Sequence, residues 1–311
     1  MNRAATVDSS DLKVIGGWDR FWFAPGDVQH AGVIRGVLCV VTAIYFVSCW
    51  SDAAFWYTAG GPLSPERVSS FLLTSGWGSA ARWVVSPLFL TGAVWVYYGY
   101  LILGVITCVL VATGRGGRTP AWVLWLLVVG WGNRAMLLSS LTESVLSLGL
   151  FAVAIAPPAA IVMRSGSSER KSSSERKSGL ASKHWTAGFS MRLISVQATI
   201  IGVATFVTML GGRVWFNGLG AYALAASAED RTIDWTRYAL FRNPLIHESL
   251  THVLMLILPL GLILVWIKRT QFLGKMLLVA WCSVSGALHS DWLYAAALAT
   301  MFCAIDEGRT E

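Results

Sequence analysis

Charge is what this sequence lacks. Only 13% of its 311 residues are charged while 55% are hydrophobic, against roughly a quarter charged in soluble domains. Cysteine is also scarce. The five present, Cys39, Cys49, Cys108, Cys282 and Cys303, all fall in predicted helices at no metal-ligand spacing, so buried thiols are expected rather than disulfides or zinc. His247 and His252 stand five apart, off one helical face, with no third ligand spaced to join them, and no metal site is expected. Glycine-rich phosphate loops and serine elbows are absent. Residues 1–28 include acidic positions and no apolar run before the first helix, so the chain is expected to stay anchored rather than lose a leader. The net charge of +7 comes without a basic stripe interleaved with aromatics, which excludes a nucleic-acid partner.

What is present instead is a series of uncharged stretches: 36–51, 83–114, 119–133, 144–163, 193–212, 249–267, 276–290 and 292–305. Several exceed the roughly 18 residues that cross a bilayer as a helix, and flanking Lys or Arg side chains that reach to water lengthen the rest. The predicted fold is an all-α, polytopic transmembrane bundle of about eight helices, near 30–50, 87–112, 120–138, 142–163, 190–210, 249–267, 272–288 and 291–306. The segment 287–291 between the last two reads either as a turn or as a polar break in one long helix.

Orientation follows from the cations, because cytoplasmic loops retain Lys and Arg. With the N terminus inside, 15 of the 24 lie on the cytoplasmic side and six outside, while Arg35, Arg134 and Arg192 fall within helices. Both termini are therefore expected in the cytoplasm, with the chain multi-pass in the inner (plasma) membrane. The expected organisation is a cytoplasmic tail at 1–17, a membrane domain at 18–305 and a second tail at 306–311. A disordered linker at 164–188 interrupts the domain, and in it Ser-Ser-Glu-Arg-Lys-Ser occurs twice in tandem, at 167–172 and 173–178. It reads as a solvated loop lengthened by duplication, with attraction to acidic headgroups as the alternative. Two outer segments, 51–85 and 211–248, are rich in aromatics, the pattern of an interfacial belt.

One polar constellation stands against this apolar background. Asn133 and Arg134 lie near the outer end of the third predicted helix, and Glu143 opens the fourth across a short hairpin. An ion in hydrocarbon costs at least a few kcal/mol, so Arg134 and Glu143 are expected to meet. The pair is either a lock on the hairpin or an anion-binding or proton-handling site in which Arg134 holds a carboxylate or quinone oxygen. Arg35 and Arg192 are read as snorkelling cations at cytoplasmic helix ends. His289, beside Asp291, caps a helix or relays a proton.

These residues carry a family resemblance. Trp18-Asp19-Arg20-Phe21-Trp22-Phe23-Ala24-Pro25-Gly26-Asp27, followed by Arg35, resembles the opening of the HTTM (horizontally transferred transmembrane) domain, the membrane domain of vitamin K-dependent gamma-carboxylases and of many bacterial proteins. Asn133-Arg134 with Glu143 is similar to that family's hairpin motif. Arg192-Leu193 with Gln197, then Trp215, Gly218 and Tyr222, is similar to its fifth-helix motif, and His289 matches a histidine near the end of the domain. The resemblance covers roughly 18–305 and implies carboxylation of glutamate with reduced vitamin K, a quinone cofactor, deprotonated by a lysine a short way before the tryptophan. Here that position is Met209, whose thioether cannot take up a proton, and neighbouring Arg213 stays protonated. The soluble domain that the carboxylases place after the membrane part is not seen after 305 in this sequence.

The expectation is an integral membrane protein without glutamate carboxylase activity that binds a quinone or lipid on its outer side. Asn133, Arg134, Glu143, Arg192, Gln197 and Trp215 are the ligand-binding candidates. One alternative is a carboxylase-like or quinone-linked enzyme that uses His289 or Glu143 as base. The other is a structural or transport protein, disfavoured for transport because no inverted repeat is seen.

Overall fold

The computed structural model describes residues 9–74, 84, 86–138, 140–158, 183–226, 233, 235–238, 241 and 243–305. The tandem hexapeptides, the tail 306–311 and residues 1–8 lie outside the described residues. Thirteen α-helices are formed among them: α1 (Ser9–Phe23), α2 (Val28–Ser48), α3 (Trp50–Trp56), α4 (Pro65–Thr74), α5 (Val94–Ala112), α6 (Thr119–Arg134), α7 (Leu141–Ile155), α8 (Trp185–Gly211), α9 (Arg213–Phe216), α10 (Gly220–Ala226), α11 (Pro244–Leu264), α12 (Gln271–His289) and α13 (Trp292–Cys303). The expected number of about eight is thus corrected. Eight of them stand at the expected apolar runs, α1 precedes the first of these, and the other four are short helices in the connections; none of these five contains a long apolar run.

Five helices, α2, α5, α8, α11 and α12, are long and apolar enough to cross a membrane, and α7 and α13 are shorter apolar helices. Their outward faces are aliphatic: Ile102, Ile106 and Val109 on α5, Ile200, Val203 and Val207 on α8, Leu256, Leu260 and Ile263 on α11 are all exposed. Contiguous apolar surface of this extent suits hydrocarbon rather than water.

Local chemistry sets the boundaries. α7 stops at Ile155 rather than running to 163, because Ala156 precedes Pro157 and is held extended. α5 begins at Val94 rather than 87, since Pro87–Leu90 forms a separate 3-10 turn capped by Ser86 and followed by extended Thr91. α11 begins earlier than expected, with Asn243 as cap and Pro244 at the first helical position. Between α12 and α13, Ser290 takes a left-handed conformation at φ 62 and Asp291 caps the new helix, so the two are separate. The linker also ends earlier than 188: Lys183–His184 pairs antiparallel with Gly26–Asp27, and α8 starts at Trp185. The boundary expected at 17/18 falls inside α1.

α2, α5, α6 and α7 pack in antiparallel sequence, α8, α11 and α12 continue the array, and α13 lies against α2, α7, α8 and α12. The bundle therefore has two ends. At the first, hereafter the near end, the pairing of 26–27 with 183–184 joins the start of α2 to the start of α8. Arg118 at the start of α6 donates to Thr186 Oγ1 there at 3.4 Å, and Arg35 donates to the Pro157 carbonyl just past α7. The far end collects α3, α4, α9, α10 and the turn from α12 to α13.

Candidate functional site

Arg134 is the last residue of α6 and is buried, at 1% exposure. The expected partner does not reach it: among the described residues no ion pair joins Arg134 to Glu143. The reason is helical phase. Gly132 is the α6 position under Glu143, since a Cβ there would stand 3.3 Å from the glutamate Cβ. Arg134, two residues on, is turned roughly 200° around the axis at 3.6 residues per turn, away from α7. Glu143 takes other donors, accepting from the Tyr45 hydroxyl on α2 at 2.7 Å and from Ser140 at 3.3 Å. It also lies in the first turn of α7, where the helix dipole favours a carboxylate.

The guanidinium is held instead by residues the sequence reading assigned to an aromatic belt or to a plain apolar run. Nε donates to the Tyr97 hydroxyl at 3.3 Å, and Nη2 donates to the Tyr57 carbonyl at 3.2 Å and to the Leu63 carbonyl. Three rings surround the cation, with centroids 5.1 Å (Tyr57), 5.3 Å (Phe89) and 5.8 Å (Tyr97) from Cζ. Tyr97 is itself fully buried, and its hydroxyl proton is directed to the Leu88 and Thr91 carbonyls at 3.1 and 3.0 Å, leaving a lone pair for Nε. Trp131 closes the group in a T-shaped contact with Tyr57, the ring centroids 5.4 Å apart. Burial pushes the Tyr57 hydroxyl above the ordinary tyrosine range, Cys49 adds to this and Arg134 opposes it, so a neutral phenol faces the cation.

Arginine has five N–H donors and is charged at any working pH. Here three are used, one on Nε and two on Nη2. Nη1 is buried with no hydrogen-bond partner among the described residues. The result is a buried cation offset by carbonyl dipoles and ring faces, with two donors left for an acceptor. Such a group binds and polarises oxygen; it does not take protons.

The other candidates are spread along the bundle. Asn133 is half-buried beside Arg134 on α6. His289 is exposed at the last position of α12, and two residues on Asp291 accepts from Thr142, the neighbour of Glu143, at 3.0 Å, which places His289 at the far end. Trp215, in α9, packs over Gly220, also at the far end. Gln197 lies midway along α8, its Oε1 buried without a partner among the described residues. Arg192 belongs to the near end and does not snorkel: its Nη1 donates to the Ala24 carbonyl at 2.6 Å and the Trp22 carbonyl at 3.2 Å, closing the C-terminus of α1. Arg35, likewise read as snorkelling, is 3% exposed and turned inward onto Pro157. The ligand-binding candidates therefore do not form one site. Far-end Arg134 with Tyr57, Phe89 and Tyr97 is the built one.

Met209, at the position where the family resemblance expects a basic lysine, is buried among apolar residues. All five cysteines are free thiols, and no metal-binding cluster occurs among the described residues. Comparison of the chain with protein-family models, with characterised proteins and with solved structures finds no match.

Proposed function

We propose that the chain is a multi-pass membrane protein of the HTTM type, with its near end in the cytoplasm, whose far end binds an amphiphile by a polar oxygen. The ligand is a quinone or a lipid that presents a carbonyl, carboxylate or ester oxygen to Arg134. The observation that carries this reading is Nη1 of Arg134, buried, charged and without a partner among the described residues. A buried donor left unsatisfied costs about 1–3 kcal/mol, more when charged, and an acceptor oxygen recovers that free energy. The aromatic walls supply the apolar surroundings of an amphiphile's body. The family motifs support the architecture, the excess of Lys and Arg at the near end supports the orientation, and Met209 argues against glutamate carboxylation.

The test is native mass spectrometry of the protein purified in a gentle detergent, comparing wild type with Arg134→Gln and Tyr97→Phe. Wild type is expected to carry a stoichiometric amphiphile, and Arg134→Gln to lose it. Tyr97→Phe removes the acceptor of Nε and the donor to the Leu88 and Thr91 carbonyls but leaves Nη1 in place, and is expected to keep the ligand. An empty wild type, or equal ligand content in a monodisperse Arg134→Gln protein, overturns the reading.

A further inference from the structure

The near end carries a second surface that the far-end site does not use. α1 is not a loose tail. Its C-terminal carbonyls are clasped by Arg192, and the backbone at Gly26 lies directly on Gly188 of α8, where any Cβ would overlap the Ala24 carbonyl oxygen. Asp27 then caps α2, its Oδ1 accepting from Gln29 N at 2.8 Å. α1 is thus fixed level with the first turns of two helices, α2 and α8, that are long and apolar enough to cross a membrane. A bilayer spanned by those helices has its headgroup layer at this height.

The exposed face of α1 is aromatic. Trp18 is 63% exposed, and Phe21 and Phe23 are exposed beside it. They continue without a break onto α8: Trp18 and Phe21 pack on Trp22, Trp22 and Phe23 on Phe189, and Phe23 on exposed Trp185, with centroid separations from 5.1 to 6.1 Å. Such rings in water serve nothing, whereas at the boundary of headgroup and acyl chain they are at their most stable. Basic groups edge the patch. Arg20 is exposed in the last turn of α1, and exposed Arg118 is brought to the start of α8 by its bond to Thr186.

We propose that α1 is an interfacial helix that lies in the near-end leaflet. Trp18, Phe21, Phe23 and Trp185 sit at the level of the glycerol backbone, and Arg20 and Arg118 engage the phosphates of anionic phospholipids. The partner is the lipid surface itself, chosen by height and charge. Each basic side chain contributes about fivefold to the preference for anionic over zwitterionic lipid.

Gly17 provides the probe position, because it is exposed on α1 and a Cβ there meets nothing within 4 Å. A spin label on Gly17→Cys, in full-length protein with its five native cysteines replaced, is placed in nanodiscs of phosphatidylcholine mixed with phosphatidylglycerol. The label is expected to collide more with oxygen than with a water-soluble nickel chelate, as at headgroup depth; nickel accessibility equal to that of a label in bulk water overturns the proposal. In parallel, lipids retained by wild type and by Arg20→Gln with Arg118→Gln are counted by native mass spectrometry from the same nanodiscs. Phosphatidylglycerol enrichment is expected to fall by more than tenfold in the double variant, and an unchanged enrichment overturns the headgroup assignment.

Discussion

Arg134 shows how far one residue's surroundings can depart from what its sequence neighbours suggest. A cation and a carboxylate flanking a hairpin look like a pair, yet Gly132 and Arg134 point to different faces of α6, and each charge finds its own donors or acceptors. A double-mutant cycle separates the two pictures. Arg134→Ala and Glu143→Ala are expected to combine additively within about 0.5 kcal/mol in thermal unfolding, as groups without shared partners do. Tyr45→Phe and Glu143→Gln, which share a hydrogen bond, are expected to couple by about 1 kcal/mol. Asn133-Arg134 was legible as unusual because a charge interrupts an apolar run. Tyr97 was not: a tyrosine inside a long apolar stretch looks like belt or core, and only the folding back of 87–93 onto α5 reveals that its hydroxyl serves the arginine.

At the scale of elements, the long helices were readable because bilayer-length apolar runs leave few alternatives, and their ends moved wherever a local rule intervened, as at Pro157, Pro244 and Ser290. The helices α1, α3, α4, α9 and α10 do not show in the sequence as apolar runs. None carries an uncharged apolar stretch of bilayer length that would stand out from a loop. α1 depends on a contact that no periodicity announces, the approach of its exit strand to Gly188. Gly188→Ala is expected to destabilise the protein by about 1–3 kcal/mol, the usual cost of an overfilled contact, read as a fall in melting temperature in detergent. Gly17→Ala, in open space on the same helix, is expected to leave the melting temperature unchanged or raise it slightly.

For the whole molecule, the antiparallel progression of helices gives each end a distinct chemistry. Among the described residues, the near end gathers most of the cations and the α1 surface, and the far end gathers the carbonyls and phenols that enclose Arg134. The uncharged runs give no sign at this scale of how closely the parts before and after the linker are joined. The two-residue pairing of 26–27 with 183–184 is small, but it is one of several ties. Arg192 holds Trp22 and Ala24, Arg118 reaches Thr186, and the Ser190 hydroxyl donates to the Ala152 carbonyl at 2.6 Å. α13 then completes the packing against α2 and α7. These contacts join the two parts directly. Two polypeptides, 1–172 and 173–311, expressed together with an affinity tag on one alone, are accordingly expected to co-purify as a complementing pair, and the serine-rich repeat becomes a place where the protein tolerates a cut or an inserted reporter.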